Sequence, residues 1–144
     1  MIECFGTNHS RGVITLIKPK LDVNIEQIIS DKTGRYILVE ASVEGEKFFF
    51  LNINAPNDQT QQVRFLRGLS NSVLNKYKYA GQRMVLGGDF NCIMNEFDKH
   101  GRRSFEQKKT VIQEMKTLMR THNLIDTWSY KHPNKQAFRW NNPS

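Results

Sequence analysis

The chain has 144 residues, room for one domain with a real core, and its 38% apolar and 24% charged composition is ordinary for a globular protein. No apolar run approaches bilayer-spanning length, and Met1-Ile2-Glu3-Cys4-Phe5-Gly6 lacks the basic segment and apolar stretch of a secretory signal, so the expectation is an intracellular protein, nuclear or cytoplasmic, with no membrane contact. The two cysteines, Cys4 and Cys92, are too far apart in sequence to suggest a metal site or a disulfide framework, which fits a reducing compartment. The net charge of +7 is uneven: residues 1–100 carry 12 Lys/Arg against 11 Asp/Glu, and residues 101–144 carry 9 against 3. A basic flank of that size suits a polyanionic partner, although any one of its lysines fits a solvated helix face equally well.

In chain order, Val13 to Ile17 is β-rich and closed by Pro19, the pattern of a central strand. Leu21, Val23, Ile25 and Ile28 alternate with polar residues as a half-buried strand, and Asp31-Lys32-Thr33-Gly34 is a turn. Tyr36–Val43 and Lys47–Ile53 are two strands joined at Glu44-Gly45-Glu46, a hairpin signal. Asp58 with Gln61 forms a capping box, and Val63, Leu66, Leu69, Val73, Leu74 and Tyr77 follow at helical spacing until Gly81. Arg83–Leu86 is the next strand, so a helix links two strands in a βαβ crossover. Residues 92–103 read as a polar loop, and a second capping box, Ser104 with Gln107, opens a helix to Thr121 along the stripe Val111, Ile112, Met115, Leu118 and Met119. Leu124–Trp128 reads as a short strand or turn, His132-Pro133 breaks the chain, and Phe138-Arg139-Trp140 starts another extended piece. Trp128 and Trp140 fit a packed core better than a base-stacking role.

Chemistry concentrates in Met84-Val85-Leu86-Gly87-Gly88-Asp89-Phe90-Asn91. The glycines let the backbone turn and a ligand approach closely. Asp89 and Asn91 then sit at a strand end, where open α/β sheets gather their ligands. A carboxylate can take a proton from water, and a neutral amide can orient a phosphate without repelling it. The same residues also suit a plain turn with Asx hydrogen bonding, a reading weakened by the upstream Asn52-Ile53-Asn54-Ala55-Pro56-Asn57 at another strand end. Arg102, Arg103, Lys108 and Lys109 could contact backbone phosphates or merely solvate a loop and helix start. Cys92 reads as an inert, partly buried thiol.

The order of these segments, from Arg11-Gly12-Val13-Ile14-Thr15-Leu16-Ile17 through Asn52–Asn57 and Gly88-Asp89-Phe90-Asn91 to Asp126-Thr127-Trp128, His132-Pro133 and Phe138-Arg139-Trp140, resembles the endonuclease/exonuclease/phosphatase superfamily. Within it, the chain looks most like the apurinic-endonuclease-like domain of non-LTR (LINE-type) retrotransposon polyproteins, along nearly its whole length. The resemblance implies a four-layer α/β sandwich, with residues 1–144 a partial domain of that type, and Mg²⁺-dependent phosphodiester hydrolysis with Mn²⁺ as a substitute metal. In an intact relative this activity would nick target DNA to start reverse transcription. Carried over, Asp89 orients and deprotonates the attacking water, Asn91 holds the scissile phosphate or the geometry of Asp89, Asn57 adds an amide at the phosphate, and Asn52 is a structural amide.

The chain also departs from the family. Asn54 stands where the family has a tyrosine that contacts the phosphate, and Arg139 stands where it has a small hydroxyl residue; both positions remain substrate-binding candidates, with arginine able to pair with phosphate. The family's metal-binding strands and its Ser-Asp-His motif are expected upstream of residue 1 and beyond Ser144, and Glu3 is not assigned to them. That leaves Asp89 as a lone carboxylate, a poor Mg²⁺ site, and none of His9, His100, His122 and His132 takes a catalytic role. The expectations are therefore an impaired endonuclease with DNA as partner and self-association through exposed sheet edges. The rivals are a non-catalytic nucleic-acid-binding or inert remnant and another phosphodiesterase or phosphatase of the superfamily.

Overall fold

A computed structural model describes residues 2–5, 12–77, 83–92, 94 and 109–133 of the chain. Its architecture is mixed α/β, with two sheets and helices divided between two compact units, Met1–Pro56 with Lys76–Asn91 and Asn57–Asn75 with Cys92–Ser144.

The first unit holds the strands. β1 (Ile2–Phe5) and β2 (Gly12–Thr15) form an antiparallel pair. β3 (Val23–Ser30), β4 (Tyr36–Val43), β5 (Glu46–Asn54) and β6 (Arg83–Asp89) form a four-stranded sheet in that order. The first three strands of this sheet run antiparallel and β5 pairs with β6 in parallel, as the crossover pattern requires. The β4–β5 hairpin closes on Glu44 and Gly45, both at positive φ (51° and 79°), the two-residue geometry that matches strand twist. Among the described residues β2 pairs with β1 alone. The run expected as a central strand therefore lies in a two-stranded sheet, with Val13 buried against β4 and Ile14 and Leu16 exposed.

Alternation sends side chains of β4 and β5 to both faces. On one face Ile37, Val39 and Ala41 are buried with Val13 of β2, and Ile2, Val23 and Phe50 pack around them. On the other, Leu38, Phe49, Leu51 and Ile53 are at most 2% exposed, and the Phe49 and Tyr77 rings lie 4.5 Å apart between centroids. Burying each such large apolar side chain is worth about 1.5–3 kcal/mol. A bulge between Ile25 and Gln27 corrects the expected alternation of β3: one extra residue lets Ile28 follow Ile25 at a spacing of three and still pair with Val39, on the side where Ile25 pairs with Ala41. Ile25 and Ile28 remain 42% and 48% exposed, and Leu21 falls outside the strand. The bulged Glu26 joins Glu40 in pairing with Lys47, which ties three strands together at one point.

The second unit is helical. α1 (Gln59–Gly68) starts where the capping box places it, with Asp58 Oδ1 accepting from the Gln61 N–H at 2.9 Å. It continues through a π-helical stretch, Leu69–Leu74, into the short α2 (Asn75–Tyr77). The expected end of this helix, Gly81, and the second capping box, Ser104 with Gln107, lie outside the described residues. α3 (Lys109–Thr121) buries Val111, Ile112, Met115 and Leu118. Arg67 on α1 meets Glu114 on α3 at 2.9 Å. Ser70 Oγ lies 2.8 Å from His122 Nε2, which ties the π-helical stretch to the end of α3.

The segment expected as a strand or turn, Leu124–Trp128, instead leads into α4 (Thr127–Lys131). Asp126 accepts from the N–H groups of Trp128 and Ser129, and this cap fixes helical geometry where the apolar count alone suggested extension. Trp128 is 44% exposed, with its ring 4.3 Å from that of His132, so it does not fill a core as expected.

Candidate functional site

The Gly-Asp-Phe-Asn motif closes β6 against the C-terminal end of β5. Parallel register sets Ile53 opposite Gly88 and Asn54 opposite Asp89. Only Gly88 is sterically demanded. It has φ +119°, and a Cβ there would lie 2.0 Å from Ile53 O, 2.7 Å from Ile53 N and 2.8 Å from Asn52 Oδ1. Gly87 has open space, so the close approach assigned to both glycines belongs to Gly88. The glycine brings the two backbones together where the acidic residue leaves the sheet.

A small hydrogen-bonded ring then fixes Asp89. Its carbonyl accepts from the Ala55 N–H at 2.8 Å. Its Oδ1 accepts from the Asn91 N–H at 3.0 Å, the Asx bond that a turn alone would make. Asn91 sits at φ +48°, a left-handed conformation that asparagine tolerates better than most residues, and its Nδ2 donates to the Ala55 carbonyl at 2.7 Å. One donor of the Asn91 amide is thus directed to the main chain just beyond β5. Asp89 itself is exposed.

Asn52 is a structural amide as expected: its Nδ2 donates to the Ile14 carbonyl at 3.0 Å and tethers β5 to β2. Asn54 is held through its main chain on both sides. Its N–H donates to the Arg35 carbonyl at 2.8 Å, and its own carbonyl accepts from Arg35 Nη1 at 3.1 Å. Arg35 was not singled out in the sequence. The available signal was the Asp31–Gly34 turn, which reverses the chain so that the next residue falls beside the end of β5.

Asn57 is exposed and belongs to the second unit, one residue before the α1 cap. Arg102, Arg103 and Arg139 lie outside the described residues, as do Lys108 and Trp140. Cys92 is half-buried. The second unit also has an open cleft of about 810 Å³ whose lining includes Met94, Lys116, Arg120, Asn123, Asp126 and Ser129, none of them in the motif.

The described residues do not fit a complete Mg²⁺ site. They include no group of three or more His, Cys, Asp or Glu residues placed to hold a metal. Asp89 is a single carboxylate with one oxygen already accepting a main-chain N–H, whereas Mg²⁺ takes an octahedron of hard oxygens. Among the described residues no helix is long and apolar enough to cross a membrane.

No family model matches the chain. Over 131 residues, 91% of its length, it is 24% identical to the "Transposon TX1 uncharacterized 149 kDa protein" of Xenopus laevis. The aligned segment is 10% of that protein's length.

Proposed function

We propose that this chain is a phosphodiester-hydrolysing domain of a LINE-type retrotransposon, a DNA endonuclease of the endonuclease/exonuclease/phosphatase superfamily whose complete fold is the four-layer α/β sandwich. The observation that carries the proposal is the exposed carboxylate of Asp89, held at the end of a parallel strand by Asn91 and Ala55 and set opposite Asn54. The similarity to a transposon protein supports it. In this reading a water oxygen attacks phosphorus, its proton passes to Asp89, and the P–O bond to the leaving deoxyribose oxygen breaks, with that oxygen protonated from solvent. Asn54 would supply a neutral donor to the phosphate oxygens. The basic excess of residues 101–144, with Arg102, Arg103 and Arg139 among them, favours a polynucleotide over a small ester. Mg²⁺ or Mn²⁺ enters only as an ion for which Asp89 is one donor, and no step above passes through it.

One observation favours a second reading. A single carboxylate without companion metal ligands among the described residues suits a domain that binds nucleic acid without cutting it. Nicking of supercoiled plasmid, in Mg²⁺ and in EDTA, by the wild-type chain and by Asp89→Ala separates the two. Nicking that disappears in Asp89→Ala supports the endonuclease. Equal nicking by both proteins removes Asp89 from the chemistry, and salt-dependent binding with no nicking by either leaves the binding domain.

A further inference from the structure

The two units differ in charge. Among the described residues the strand unit holds seven Lys/Arg against eight Asp/Glu, and the helical unit six against three. Each acid of the helical unit has a local task there: Asp58 caps α1, Glu114 meets Arg67, and Asp126 caps α4. Attraction for a polyanion therefore belongs to the helices and not to the strands that carry the Gly-Asp-Phe-Asn motif.

On α3, Lys116 and Arg120 stand four residues apart, which puts them on one face about 6 Å apart along the axis. Both are exposed, and neither has an ion-pair partner among the described residues. Gln113, one turn before Lys116, extends the same row with an amide. All three line the open cleft of about 810 Å³, a size at which clefts hold ligands. Beside the row the lining is apolar, with Met119, Leu124 and Ile125, and Ile125 is 63% exposed. The cleft also takes in the Asp126 carboxylate, which accepts from the Trp128 and Ser129 N–H groups and from the Ser129 hydroxyl. Two cations against one carboxylate leave the described lining net positive. A row of cationic and amide donors thus runs along an apolar trough.

We propose that this cleft binds single-stranded nucleic acid, with Lys116 and Arg120 on neighbouring phosphates and the faces of unpaired bases against Met119 and Ile125. The pairing of the two surfaces selects the strand type. A duplex presents its phosphates but hides its base faces in the stack, so a basic row alone would serve it. Apolar side chains next to that row gain only from bases that are out of the stack. A thioether is polarizable and adapts to rings of different shape, so the contact suits bases of any sequence. From the reading above the proposal takes only that the ligand is a polynucleotide; no residue of the Gly-Asp-Phe-Asn motif takes part.

The test is the salt dependence of binding by the full chain to labelled oligothymidylate and to a labelled duplex of the same length, read by anisotropy. Each neutralised phosphate of a single strand contributes a slope of about 0.7 in log K against log salt. The slope for oligothymidylate should therefore fall by about 1.4 in Lys116→Gln/Arg120→Gln and be retained in Lys116→Arg/Arg120→Lys. Lys20→Gln/Lys32→Gln removes the same net charge from exposed positions of the strand unit and should keep the wild-type slope. Ile125→Ser should weaken oligothymidylate binding about fivefold with an unchanged slope, and leave duplex binding as it was. Oligouridylate, titrated alongside, tells whether the strand held is RNA or DNA, with the same slope loss expected for the one bound. Equal slopes for the two glutamine pairs, wild-type affinity in Ile125→Ser, tighter binding of the duplex than of either single strand, or no salt-dependent binding by the wild type each overturns the proposal. The nicking assay reports on the other reading separately: Asp89→Ala that nicks like the wild type leaves the slope comparison standing, and unchanged slopes leave the nicking result standing.

Discussion

Gly88→Ala probes the part of the site where geometry is tightest. The new Cβ would sit 2.0 Å from Ile53 O and 2.7 Å from Ile53 N, both main-chain atoms that cannot swing aside. The residue would also keep φ +119°, which costs a non-glycine residue about 1–3 kcal/mol. Relief requires β6 to move off β5, and the bond from the Ala55 N–H to the Asp89 carbonyl is next to the contact. Losing one such bond adds about 0.5–1.5 kcal/mol, so the expected cost is about 2–4 kcal/mol, a large share of a typical domain's stability. Gly87→Ala is the control: nothing lies within 4 Å of its Cβ, and its cost should stay within about 0.5 kcal/mol. Urea unfolding of both variants, followed by far-ultraviolet circular dichroism with a common slope, gives the difference directly. Equal midpoints for the two alanine variants would refute the claim that Gly88 is what allows the strands to close.

Asn91→Ala loses the 2.7 Å bond to Ala55 O and puts alanine at φ +48°, for an expected destabilisation of about 1–3 kcal/mol by urea midpoint. Asn91→Gly should recover the backbone share only, and a glycine variant no more stable than the alanine one contradicts the strain argument. The Lys47 ammonium is bonded to Glu40 and Glu26, which raise its pKa from 10.5 to about 12 against an opposing effect of desolvation. A raised folded-state pKa stabilises fully below the unfolded value and loses that effect as pH climbs through the folded one. The midpoint gap between wild type and Lys47→Gln should therefore hold steady up to about pH 10 and narrow between 10.5 and 12. A gap that persists to pH 12 would remove the bridge as its source.

Local rules were legible where one residue type had one job. Asp58 caps α1, Glu44-Gly45 turns the hairpin, and the apolar run after the first helix pairs in parallel with β5, all as sequence spacing indicates. Features set by a partner strand were not. The bulge at Glu26 exists because Lys47 and the register of β4 accommodate an extra residue, and nothing in β3 alone announces it. The π-helical stretch leaves the apolar spacing of Leu69, Val73 and Leu74 looking like ordinary helix. Trp128 was misread because aromatic size suggests burial, while its exposure is decided by the cap at Asp126 and the short helix that follows. At the site, Asp89 and Asn91 were visible as a motif, whereas Arg35 gains its position only from antiparallel pairing with β5.

The parallel pairing of β6 also has a consequence for the order of assembly. β4 and β5 are joined by two residues, but β5 ends at Asn54 and β6 begins at Arg83. Closing the longer connection costs on the order of 2 kcal/mol more chain entropy than closing the hairpin, and non-local pairings form late in folding. Strands β3 to β5 can therefore zip first and β6 dock last, bringing Asp89 to Asn54 only at the final step. Pulse-labelled amide exchange should show the Ala55 N–H, bonded to Asp89 O, gaining protection after those of Val39 and Phe50, which pair across β4 and β5. Simultaneous protection would contradict this order. A chain that follows it passes through partly folded states that have most of the sheet and no candidate centre.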